Sequence, residues 1–99
     1  MEIREANRFI ERLLGLKRKG IPKECILIIP KCNSIHTFGM KENVHLWGVT
    51  IYGDLVYERY STEKNTVVWL PSSVYYTVES LVQYKRHEIE SAFSQWEAQ

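Results

Sequence analysis

The chain has 99 residues, with 13 Lys plus Arg against 12 Asp plus Glu, a formal net charge of +1, 44% apolar residues and 25% charged residues. Those fractions fit an ordinary soluble globular domain. The length excludes a two-domain enzyme and any large α/β fold, and predicts one domain over residues 1–99.

The longest apolar run is Cys25-Ile26-Leu27-Ile28-Ile29, far short of the roughly 20 residues a membrane-spanning helix needs. Met1-Glu2-Ile3-Arg4-Glu5 has no apolar stretch of the kind found in a secretory leader. A cytoplasmic protein with Cys25 and Cys32 reduced is therefore expected, with no membrane partner. The small net charge hides an asymmetry. Residues 1–24 carry a net +3 and residues 25–99 a net −2. The basic run reads as a solvated face. Its neighbours Phe9, Leu13 and Leu14 read as core rather than as stacking platforms, so no nucleic-acid partner is expected.

In chain order, residues 1–6 fit either a short strand or the start of a helix. Ala6, Phe9, Ile10, Leu13 and Leu14 fall on one helical face. Asn7 suits the cap and Gly15 the stop. Ile21-Pro22-Lys23 is a turn. Residues 24–29 read as a buried strand stopped by Pro30, which cannot donate to a ladder. Residues 31–43 are irregular. Strands follow over 44–52, 55–61 and 66–70, with turns at Gly53-Asp54 and Glu63-Lys64-Asn65, and Pro71 stops the last one.

Two registers suit the hairpin. With Gly53-Asp54 as its loop, Trp47 faces Tyr60 and Ile51 faces Val56. With Tyr52-Gly53 as its loop, Trp47 faces Glu58 and Val49 faces Val56. A one-residue slip turns every side chain over. The first buries more aromatic surface and is the expected pairing, although it sets Val49 opposite Glu58.

From Ser73 the period lengthens to about 3.6. Val74, Val78, Leu81, Val82, Lys85, Ile89, Ala92, Phe93 and Trp96 follow one stripe, and Glu79, Gln83, Arg86, Glu90, Ser94 and Glu97 lie off it. The spacing predicts a C-terminal helix over about 73–97, continuous or broken near Thr77, on a β scaffold of about 1–72. Unbroken, it would be roughly 37 Å long. That exceeds the domain's width, so Ile89, Phe93 and Trp96 either pack back across the sheet or await a partner, a second copy or another protein. The architecture expected is mainly β with flanking helices, α+β.

Ser34-Ile35-His36-Thr37-Phe38-Gly39-Met40 is the most distinctive word in the chain. With Ala6, Arg12-x-x-Gly15-Leu16, the strand ending at Pro30 and followed by Cys32, Gly53, and Val68-Trp69-Leu70-Pro71, it resembles the bacterial and archaeal family called domain of unknown function 192, over residues 6–75. The resemblance implies a small barrel- or sandwich-like antiparallel domain with short helices and no assigned activity. It also implies that residues 1–6 are a strand leading into a short N-terminal helix at about 8–14. The chain departs from the family's pattern where that has a Pro-x-Asp (here Asn43 and His45), a second Asp (Thr50) and an Ala-Gly (Ser72-Ser73). The family's closing Gly-Asp strand is replaced by the helical C-terminus. Those departures put in doubt any function that needs the missing carboxylates.

Cys32, His36 and Met40 lie four residues apart. The set superficially resembles a blue-copper loop, which also needs a distant second histidine. Cys32, His36 and His45, with Cys25, form a weak zinc set whose spacing fits no closed structural pattern. For nucleophilic chemistry, Cys32 beside His36 has no orienting carboxylate other than Glu42. The expectation is therefore no metal, no cofactor, no catalytic residue and no enzyme. Two functions stay open. One is a protein-interaction scaffold acting through Ile89, Phe93 and Trp96 of the C-terminal helix. The other is a small-ligand pocket lined by His36, Thr37, Lys41 and Trp47, where polar groups would converge beside an aromatic wall.

Overall fold

In the computed structural model, residues 2–6 and 22–99 are described. The expected N-terminal helix at 8–14 lies outside the described residues. Seven strands occur among the described ones: β1 (Ile3–Glu5), β2 (Ile26–Pro30), β3 (Ser34–His36), β4 (Val44–Thr50), β5 (Leu55–Thr62), β6 (Val67–Trp69) and β7 (Val74–Ser80). One helix, α1 (Arg86–Glu97), follows.

Five strands form a sheet in the order β1-β2-β7-β4-β5, and β3 pairs with β6 in a separate two-stranded sheet. Only β1 and β2 run parallel; the other pairs are antiparallel. The large sheet is open, with β1 and β5 at its edges, so the barrel that the resemblance implied does not form. Within residues 1–6 the expected strand is present as β1, over Ile3–Glu5.

The largest correction concerns residues 74–80. They are the central strand of the sheet, paired to β2 on one side and β4 on the other, so the helix is confined to Arg86–Glu97 and the scaffold does not end at 72. A strand covered on both faces loses its period-two alternation. Val74, Val78, Leu81 and Val82 then mimic a helical stripe.

The hairpin also differs from the expected register. Trp47 pairs with Glu58 and Gly48 with Tyr57, then a bulge at Val56 brings Val49 opposite Leu55. The turn spans Ile51-Tyr52-Gly53 and closes with the Thr50 N–H donating to Asp54 O at 2.9 Å and the Gly53 N–H to Thr50 O at 3.0 Å. The Thr50 hydroxyl accepts from the Tyr52 and Asp54 amides. Gly53 has φ +91, a conformation glycine enters without a steric penalty.

Alternation along the strands gives the sheet two different faces. Ile26, Ile28, Trp47, Val49, Leu55 and Val78 pack under Ile89, Ala92 and Phe93 of α1. Tyr76 stacks edge-on with Phe93 and Trp96 at 5.0 and 5.6 Å. On the opposite face, Ile35 of β3 and Val68 of β6 pack with Val44, Leu46, Leu70 and Val74. Gly48 sits beneath this layer, where an added Cβ would come within 2.6 Å of Val74 and 3.0 Å of Leu70. Ala6, Leu27 and Ile29 form a third cluster.

Candidate functional site

The helix starts at Lys85, whose N–H donates to the Glu88 carboxylate at 2.9 Å. The Arg86 guanidinium reaches over to Leu55 O at 2.8 Å and lies 3.6 Å from Glu90, one turn further along the helix. Ile89 and Phe93 are fully enclosed by the sheet and Trp96 is half-buried. Ile89 and Phe93 thus pack back into the protein's own core, with the half-buried Trp96 against them. Area buried against the domain itself is not available to a partner. The outer flank of α1 carries a shallow groove of about 300 Å³ lined by His87, Glu88, Ser91, Ala92 and Gln95.

The four expected ligand-binding residues do not converge. Thr37 is buried, and its hydroxyl donates to Glu63 O at 2.6 Å while accepting from the Thr66 N–H at 2.9 Å. It fastens the loop before β6 to the end of β3. Trp47 lies in the core on the helix face. Its indole N–H is buried without an acceptor among the described residues, and the Tyr60 ring meets it edge-on at 6.1 Å. His36 and Lys41 are exposed.

The weak metal candidates are dispersed too. The Cys32 thiol donates to Ser34 O at 3.0 Å. Cys25 precedes β2 while Cys32 follows it, and burial raises the Cys25 thiol above its ordinary range. His45 is buried on β4, its Nδ1 accepting the Ser61 N–H at 3.0 Å. In the neutral ring the proton therefore sits on Nε2, and burial pulls the imidazole below its usual pKa. Among the described residues no three His, Cys, Asp or Glu side chains come together in a cation-holding group.

Two features went unread in the sequence. The first is an outward ridge. Ile35 and Val68 point inward, so Ser34 and His36, which pair with Trp69 and Val67, lie on the outer face with them. Trp69 is 76% exposed, Val67 48% and Phe38 46%, and His36 stacks on Phe38 at 5.0 Å. The inward Val68 between Val67 and Trp69 was a readable period-two signal for an outward Trp69.

The second feature is Glu79, at the middle of the sheet. It pairs with Leu27 on β2 and Leu46 on β4 and shares their face, on which β3 and β6 are packed. It is 7% exposed. Burial pushes its carboxyl up to about 7, because ionisation away from water is costly without a partner. Read as helical, Glu79 fell on the solvent side; as strand, it is inside.

No protein-family model and no curated protein matches the chain. A solved structure does resemble it, that of a protein of unknown function from Novosphingobium aromaticivorans DSM 12444. The two share 11% identity with a TM-score of 0.66 over 91% of this chain, which spans 66% of that protein's length. The similarity is one of fold. No helix among the described residues is long and apolar enough to cross a membrane. The chain is thus a mainly β protein of the α+β class, and its fold also occurs in that protein of unknown function.

Proposed function

We propose that the protein is a non-enzymatic interaction domain that pairs with a second copy of itself through the outer ridge of Trp69, Val67, His36 and Phe38. The exposure of Trp69 carries this reading. A large, rigid aromatic held outward on a strand, next to two other exposed apolar side chains, is the kind of anchor that dominates protein contacts. The ridge contains no Lys, Arg, Asp or Glu, and the chain's net charge is +1, so two copies approach with little repulsion. A two-fold pairing needs only one self-complementary patch. Kinship with the family called domain of unknown function 192 is likewise proposed, on the word at 34–40.

Sedimentation velocity from micromolar to millimolar concentration tests the pairing. The full chain should shift from monomer to dimer, and Trp69→Ser should remain monomeric with unchanged circular dichroism. A full-length chain that stays monomeric throughout, or a Trp69→Ser variant that dimerises equally, would overturn the reading. A small-ligand pocket around His36 and Thr37 receives no support from the geometry, since Thr37 is buried and Trp47 lies in the core.

A further inference from the structure

We propose that Glu79 is a proton-controlled latch beneath the β3–β6 layer: uncharged, it lets the layer seat on the sheet, and ionised, it loosens that seat and with it the presentation of the ridge. The ridge's role rests on the reading above; the movement of the layer does not. The argument is positional. Leu46, directly across from Glu79 on β4, packs against Ile35 and Val68 of the layer. Leu81, two residues along the chain, packs into the same cluster. Thr77, two residues back on the same face, donates its hydroxyl to Cys32 O at 2.7 Å, and the Cys32 N–H donates to Tyr75 O at 3.1 Å. These contacts root β3 on β7. Of the four described residues that flank Glu79 on its own face of the sheet, Leu46, Leu81 and Thr77 contact the layer or the segment leading into it, and the fourth is Leu27.

The carboxyl has no hydrogen bond or ion pair among the described residues. Across the sheet its row reads Arg4, Leu27, Glu79, Leu46, Arg59. Each arginine is thus two strands away, roughly 10 Å between backbones. Arg4 is engaged by Glu2, and Arg59 is exposed on the edge strand. Other titratable groups on or beside this face among the described residues include the buried Cys25 thiol and the half-exposed Tyr57, Tyr75 and Cys32; His45 faces the helix side, with Trp47 and Tyr60.

The sign follows from linkage. Burial raises Glu79 from 4.5 to about 7 when the layer is seated, so opening releases a proton between those values. The seat is fully stable below the ordinary carboxylate pKa, weakens as pH rises towards 7, and levels off above it.

Hydrogen exchange on the full chain, read as protection factors at pH 5 and pH 8, tests the latch without needing a partner. In the wild type, the Cys32 and Ile35 amides should lose protection by about one to two orders of magnitude at the higher pH, while α1 amides such as Ile89 hold theirs. Glu79→Gln, and Glu79→Leu as a second uncharged variant, should abolish the difference. Equal pH profiles in wild type and variants, or a loss spread evenly over α1 and the layer, would overturn the latch. Failure of Trp69→Ser to alter association would remove only the ridge reading.

Discussion

The two faces of the five-stranded sheet are built on different terms. The helix face is closed by one continuous element whose Ile89, Ala92 and Phe93 meet a nearly all-apolar surface, with Tyr76, Phe93 and Trp96 in mutual ring contact. The opposite face is covered in part by two three-residue strands that come from distant parts of the chain. It buries polar side chains: Glu79, Thr77 and Thr62, the last with its hydroxyl unpartnered among the described residues. The contact beneath α1 is apolar, and the buried His45 on that face is held towards its neutral form by burial. A small layer over a carboxyl can respond to protons, and it carries the exposed ridge on its back. The proposed pairing accordingly uses the face covered by β3 and β6.

Substitutions that break this contrast fall in order of size. Phe93→Ala removes a ring from the middle of the helix face and should lower unfolding free energy by about 3–5 kcal/mol, measured by urea titration; a loss below about 1 kcal/mol would mean that α1 is a loose attachment rather than a wall of the core. Thr37→Val deletes the hydroxyl that joins Glu63 O and the Thr66 N–H to β3. It should cost about 1–2 kcal/mol, with enhanced exchange of the Thr66 amide and little change in α1. Equal loosening of α1 would erase the distinction between the faces. Trp69→Ser should have the smallest effect on stability, within about 0.5 kcal/mol, as expected for an exposed side chain.

The same contrast explains what the sequence disclosed. β2, β4, β5 and β6 were readable because apolar β-branched runs or alternation stop at Pro or Gly turns: Pro30 closes β2, Gly53 turns β4 into β5, and Pro71 follows β6. β7 was misread since both of its faces are covered. Its Tyr75-Tyr76-Thr77 run, rich in strand-favouring side chains, was the local cue against a helix. β3 is three residues long and gains its strand character from pairing with β6, some thirty residues away, which no local pattern encodes. Among site residues, Thr37 and Trp47 were marked as chemically notable. Burial made one a fastener and the other core, and burial depends on tertiary packing. Glu79 became notable only once its helix became a strand.

Chemical-shift mapping of the amide and indole resonances across a concentration series sets the two faces against each other most directly. The account predicts that Ser34, His36, Val67 and the Trp69 indole shift together with one saturable dependence, while the outer flank of α1 at His87, Ser91 and Gln95 stays fixed. Shifts centred on α1 or on the Ile51-Tyr52 turn, with β3 and β6 unmoved, would contradict it.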